Sequence, residues 1–193
     1  MKIAMLLGHS RRKEGAKVCA GFYEGYGENA LADHYLPLMC TFLQDYGFDV
    51  KLTQRSEAGG VTPSYSAKAA NATGADIALE WHFNSAGKSV SGCEVLYWHK
   101  SSKGKRFAEL LSARLATMLG VPDRGAKPIG SVSDRGYRAF RDSRMPFYMI
   151  EPCFAGSNPE DAKKIGKLIK SGDWQQHGAV IVAETINEIY GKE

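Results

Sequence analysis

The sequence predicts an α/β fold: a single domain with a twisted, mostly parallel sheet and helices on both faces. Three observations carry this. Short apolar runs of strand length occur at 2–7, 77–83 and 147–150, nearly continuous in their apolar character, as strands buried on both sides are. Longer amphipathic stretches alternate with them, the rhythm of βαβ units. The 193 residues are 44% hydrophobic and 24% charged, a length and balance that suit one hydrophobic core.

The elements follow in order. Lys2 to Leu7 reads as a buried strand stopped by Gly8, and a Gly-rich charged stretch follows to Gly27. Glu28 opens a helix whose apolar face is read as Leu31, Tyr35, Leu38, Met39, Phe42 and Tyr46. Pro37 should kink or split it. Gly47 closes it, and Phe48 to Thr53 returns as a strand. Gly59-Gly60 and Pro63 mark a loop before an alanine-rich helix, Ser64 to Thr73, which Gly74 stops. Ile77 to Phe83 and Cys93 to Trp98 read as strands. Lys103 to Leu119 is the clearest amphipathic helix, with Phe107, Leu110, Leu111, Leu115 and Met118 on one face. Residues 120–145 are rich in Gly and Arg and carry no clear period. Phe147 to Ile150 is a strand ended by Glu151-Pro152, and Asn158-Pro159-Glu160 starts a helix through Lys170. A last helix runs from Trp174 to Tyr190. Neither an internal repeat nor a linker interrupts the chain, so residues 1–193 are expected to form one domain.

Composition excludes several classes. The formal charge is +4, mild against the density of a dedicated nucleic-acid binder. No apolar run approaches the ~18 residues of a membrane span. The apolar start ends at Gly8-His9 and is too short for a signal-peptide core, so export is expected to use another route. Cysteines at 19, 40, 93 and 153 form no CxxC pair and are expected to be reduced and packed as small hydrophobes. HExxH, GxSxG and GxGxxG are all missing, and Gly87-Lys88-Ser89 lacks the upstream glycine of a P-loop. His34, His99 and His177 read as surface or packing residues.

The chemistry concentrates at strand ends. The first strand ends at His9, another carries His82 near its C-terminal end, and a third ends at Glu151. Ligands of open α/β sheets gather beyond the C-terminal ends of parallel strands. If these strands are parallel neighbours, the three residues converge on one rim, which Glu28 can also reach from its helix start. Two imidazoles and a carboxylate form a common catalytic zinc set with one position left for water. A second carboxylate can move the water's proton to a leaving amine. Asn84 shares a strand face with His82 and either orients a ligand, contacts substrate or caps the strand. Arg135, Arg138, Arg141 and Arg144 recur every three residues. They read either as a solvated helix face or as a means of recognising carboxylates.

With these residues in place, the chain resembles the zinc-dependent N-acetylmuramoyl-L-alanine amidases of the Amidase_3 type, found in bacteria and as phage endolysins. Leu7-Gly8-His9 occupies the place of the family's strand-end Gly-His. Glu28-Asn29, the helix after it and Gly47-Phe48-Asp49-Val50 look like its Glu-helix-Gly-strand segment. Asn71-Ala72, Gly74-Ala75-Asp76 and His82-Phe83-Asn84 resemble its most recognisable stretch. Pro146 to Phe154 with Ser157-Asn158 resembles the segment carrying its catalytic glutamate. Leu6-Leu7 before Gly8-His9 and Ser10 after it depart from the family's usual Asp-Pro and glycine.

The resemblance implies one Zn2+ per chain held by His9, Glu28 and His82, with Glu151 as catalytic acid/base. It implies hydrolysis of the amide between N-acetylmuramic acid and L-alanine in peptidoglycan, in cell-wall lysis or remodelling. Asn84, Arg135, Arg138 and Arg141 are candidates for contacting substrate. A monomer is expected, made in the cytoplasm and acting on periplasmic peptidoglycan, with no separate wall-binding domain. Two rivals stand beside this reading: another zinc peptidase acting on wall peptides, and a non-catalytic wall-binding module. Intact His9, Glu28, His82 and Glu151 argue against the second.

Overall fold

In the computed structural model, which describes residues 1–191, the first strand, β1 (Lys2–Leu7), lies inside the sheet, flanked by β2 (Asp49–Gln54) and β3 (Ile77–Trp81), both parallel to it. Beyond β3 come β6 (Phe147–Glu151), β4 (Cys93–Trp98) and β5 (Asp123–Ile129), giving the order β2-β1-β3-β6-β4-β5. β3 and β6 pair in parallel, whereas β4 runs antiparallel to β6 and parallel to β5. The reversal has a local cause. Residues 82–92 between β3 and β4 contain no helix, and a parallel return would need a crossover of a dozen residues or more. β4 therefore starts at the rim where β3 ends.

The apolar runs alternate sides as strands must. Ile3, Met5, Leu7, Ile77, Leu79, Trp81, Tyr148 and Ile150 face one core. It is covered by α1 (Glu28–Asp45), α3 (Ser102–Leu119), α5 (Pro159–Ser171) and α6 (Asp173–Tyr190). Ala4, Leu6, Ala78, Leu96, Phe147 and Met149 face a smaller core under α2 (Pro63–Thr73) and the short α4 (Tyr137–Asp142). Helices thus cover both faces, as the pattern predicts.

Two readings of α1 need correction. Its buried face is Leu31, Ala32, Tyr35, Leu36, Met39, Cys40 and Leu43, whereas Leu38 and Tyr46 are exposed. Pro37 does not split the helix, which runs through from Glu28 to Asp45. Pro37 is on the exposed side, where water can satisfy the carbonyl that loses its partner. α3 matches its expected face, with Phe107, Leu111 and Leu115 buried and Leu110 and Met118 partly so. The unassigned stretch 120–145 holds β5 and α4. β5 is a half-exposed edge strand with Gly125 and Pro128 inside it, which is why it shows no apolar alternation. The four cysteines are free thiols.

Candidate active site

The ladder hydrogen bonds continue past the strand ends and set three side chains along one rim. Gly8 N donates to Trp81 O, His82 N to Ile150 O and Asn84 N to Cys153 O, each at 2.9 Å. The first staples the turn before His9 to β3, and the second staples His82 to β6, one residue short of Glu151. His9 itself has φ of 59°, a left-handed conformation uncommon for a residue with a side chain.

Glu28 arrives from the other direction, as the first residue of α1. No side chain caps that helix. The loop before it does so with backbone carbonyls: Ala16 O accepts from Glu28 N at 3.1 Å and Glu14 O from Asn29 N at 3.0 Å, meeting donors that a helix start leaves open. Asn29 Nδ2 donates to Gly8 O at 3.0 Å, fastening the helix start to the end of β1. The Glu28 carboxylate accepts from Ala16 N at 2.9 Å through Oε1 and from Phe83 N at 3.1 Å through Oε2.

That same Oε2 lies 3.1 Å from His82 Nδ1 and 3.2 Å from His9 Nε2. The two rings meet edge to face with centroids 4.8 Å apart. One donor atom from each of the three residues lies within 4.8 Å of the others. Zinc bonds of about 2.0–2.1 Å in a tetrahedron put neighbouring donors about 3.3 Å apart, so the His–Glu separations, and the N, N, O donor set, fit that ion. Burial opposes ionisation of Glu28, but the imidazoles of His82 and His9 outweigh it and hold its carboxyl far below the usual range. Burial likewise opposes charge on His82, yet the carboxylates of Glu80, Glu28 and Glu151 push its imidazole up to about 10. A cluster of acids around two imidazoles is a place where positive charge is stabilised.

Glu151 closes the constellation. It is buried, and its Oε2 has no hydrogen-bond partner, while Oε1 lies 3.4 Å from Arg135 Nη1. Burial raises its carboxyl to about 7, with His82 and Arg135 opposing and the charges of Glu28 and Glu94 adding to the rise. A carboxyl poised near neutrality can both take and give a proton. His9, Glu28, His82, Asn84, Arg135 and Glu151 line one cleft of about 340 Å³. A larger groove, about 560 Å³, lies between β2 and α2 and contains none of them.

The arginines divide. Arg135 precedes α4 and reaches into the cleft, donating to Asn84 Oδ1 at 2.9 Å and pairing with Glu94. Arg138 and Arg141 lie exposed on α4, Arg141 paired with Asp142, and neither lines the cleft. The four arginines therefore do not share one helical face, because α4 has only six residues. Asn84 both caps and orients: its Oδ1 accepts from Ser85 N at 3.2 Å and from Arg135 Nη1, while its Nδ2 donates to Glu94 Oε1 at 2.8 Å, so it holds Glu94 and Arg135 together. His34, His99 and His177 lie exposed outside the rim. Sequence reasoning misses Glu94, which Arg124 also holds through Nε at 2.8 Å. It also misses Glu80 and Arg55, a buried pair beneath His82. An acid inside an apolar strand, two residues before His82, was the available signal for Glu80.

Fold and site together define an α/β enzyme whose rim joins a His-Glu-His cluster to a buried carboxylate. Residues 3–188 match the Amidase_3 family, N-acetylmuramoyl-L-alanine amidase, and the chain belongs to it. Its reaction is hydrolysis of the amide joining muramic acid to the L-alanine of the peptidoglycan stem. The chain is 26% identical over 185 residues to the uncharacterized protein YqiI of Bacillus subtilis (strain 168), covering 95% of this chain and 82% of that one. Its fold is similar to an N-acetylmuramoyl-L-alanine amidase from Clostridium difficile 630, with a TM-score of 0.74, 19% identity and coverage of 97% and 95% of the two chains. It is also similar to the catalytic domain of the CD27L endolysin targeting Clostridia difficile, with a TM-score of 0.72, 24% identity and 97% of each chain covered.

Proposed function

We propose that this amidase is zinc-dependent, with His9 Nε2, Glu28 Oε2 and His82 Nδ1 holding the metal and Glu151 as the acid/base. The observation that carries this is the convergence of both imidazoles on one buried carboxylate oxygen beside a second buried carboxylate. Zinc bound there would lower the pKa of a water and polarise the scissile carbonyl. The chain's own residues do the rest. Glu151 takes the proton of the attacking water and gives it to the departing alanine amine, for which a carboxyl near neutrality is suited. Arg135, held by Glu94 and Asn84 at the cleft wall, offers its half-exposed guanidinium to a stem carboxylate. Arg138 and Arg141 stay candidates only for longer substrates that extend over α4.

The enzyme works as a monomer on periplasmic peptidoglycan. Its fold likeness to an endolysin catalytic domain supports a role in phage lysis. The test is metal analysis of the purified protein combined with mass spectrometry of digested peptidoglycan. One zinc per chain is expected, with activity lost on chelation and restored by zinc, and release of whole stem peptides with a free alanine amine. Full activity in metal-free protein would contradict the zinc assignment. Trimmed or internally cut peptides would point to a peptidase instead.

A further inference from the structure

Glu80 has no task in the reaction above. It sits two residues before His82 and shares its side of the strand. It has no exposure to solvent, and a buried carboxylate is costly unless paired and hydrogen-bonded. Its two oxygens are used unequally. Oε1 accepts from Arg55 Nη2 at 2.9 Å, Arg55 Nε at 3.1 Å and Ser66 Oγ at 2.6 Å. Oε2 has none of these partners and faces His82 Nε2 at 3.4 Å. His82 Nε2 is likewise buried with no hydrogen-bond partner, Glu80 Oε2 being the carboxylate oxygen that approaches it, while the opposite nitrogen, Nδ1, faces Glu28.

We infer that Glu80 is a positioning residue for His82: its Oε2 accepts the Nε2 proton, which fixes the tautomer and leaves the Nδ1 lone pair for the metal. The inference rests on the reading of His9, Glu28 and His82 as zinc ligands. Imidazole ligands commonly donate their second N–H to a carboxylate, which sets ring orientation and raises the basicity of the ligating nitrogen. Arg55 and Ser66 make the arrangement specific. By occupying Oε1 they leave only Oε2 for the imidazole, and the guanidinium offsets the carboxylate's charge in the interior.

Glu80→Gln tests this sharply. With the amide oxygen held by Arg55 and Ser66, the amide NH2 would face Nε2, a donor against a donor, and the opposite tautomer would be favoured. Because the variant also leaves Arg55 buried and unpaired, the double variant Arg55→Gln/Glu80→Gln removes both charges together. Zinc dissociation constants are measured by competition with a chromophoric chelator on folded protein. Nitrogen NMR of His82 in zinc-loaded wild type reports which nitrogen carries the proton, whatever the variants do. The expected result is zinc binding weakened about 10–100-fold in the folded variants, with the wild-type proton on Nε2 and the metal on Nδ1. Unchanged zinc affinity in a folded variant, or metal on Nε2, would overturn the assignment of Glu80. A wild type that binds no zinc at all would overturn the ligand reading itself, a separate outcome.

Discussion

Glu151 illustrates how burial without a close partner prepares a side chain for chemistry. Its neighbours Cys153 and Ile150 are fully buried, its Oε2 is unpartnered, and its carboxyl is raised from 4.5 to about 7 chiefly by burial. Glu151→Gln, nearly isosteric, should keep zinc and fold but lower turnover about 10²–10⁴-fold, the usual contribution of an acid/base group. Turnover and zinc content measured on the same sample check this. Lost zinc would instead make Glu151 a ligand. The raised carboxyl also bears on stability. The native state keeps a proton that the unfolded chain releases above 4.5, so this contribution is complete below 4.5 and disappears as the pH rises through about 7. In chelator, urea unfolding should show Glu151 costing wild type on the order of 2 kcal/mol between pH 4.5 and 6.5. Glu151→Gln should lack that component, and identical pH slopes in the two proteins would contradict it.

At the scale of elements, the segment 8–27 is more than a connection. It caps α1 and presses against the site at Gly15, whose φ is +85° and where a Cβ would stand 2.5 Å from His9 Cδ2 and 2.8 Å from Glu28 Oε1. Gly25 has nearly the same φ, +84°, but open space around it. Alanine at either position therefore pays the left-handed backbone cost of about 1–2 kcal/mol, and only Gly15→Ala also displaces His9 and Glu28. Calorimetric zinc titration should show at least about tenfold weaker binding for Gly15→Ala than for Gly25→Ala. Equal affinities would mean that the loop yields without moving His9 or Glu28. β4 is the other decisive element. Its antiparallel pairing sets Glu94 opposite Glu151 in register, which supplies the anchor for Arg135.

Across the whole molecule, the site depends on the larger core beneath it. Trp81 belongs to β3, one residue before His82, and packs edge to face on Trp174 of α6 at 6.0 Å, with Tyr35 of α1 at 6.4 Å from Trp81 and 6.2 Å from Trp174. The helix α6, the helix that starts at Glu28 and the strand that leads into His82 thus share one aromatic contact. Trp174→Ala should cost about 3–5 kcal/mol of stability, read by urea unfolding. If zinc binds the assembled site as proposed, adding it at about 100 times its Kd should recover about 2.7 kcal/mol. A variant that zinc does not stabilise would place the damage in the site as well as the core.

The sequence by itself determined what local physics determines. The period of apolar residues marked β1, β3, β6 and α3, Asn158 announced the cap of α5, and strand-end His9, His82 and Glu151 pointed to one rim. Their convergence follows because β1, β3 and β6 are adjacent and parallel. Other features needed the tertiary structure. The face of α1 shifted because burial is set by what the helix meets, not by its own pattern, and β5 escaped notice because an edge strand carries little apolar signal. Above all, pairings such as Glu80 with Arg55 and Glu94 with Arg135 join residues 25 and 41 positions apart. A periodicity states which side a residue faces; only the folded chain decides which charge is waiting there.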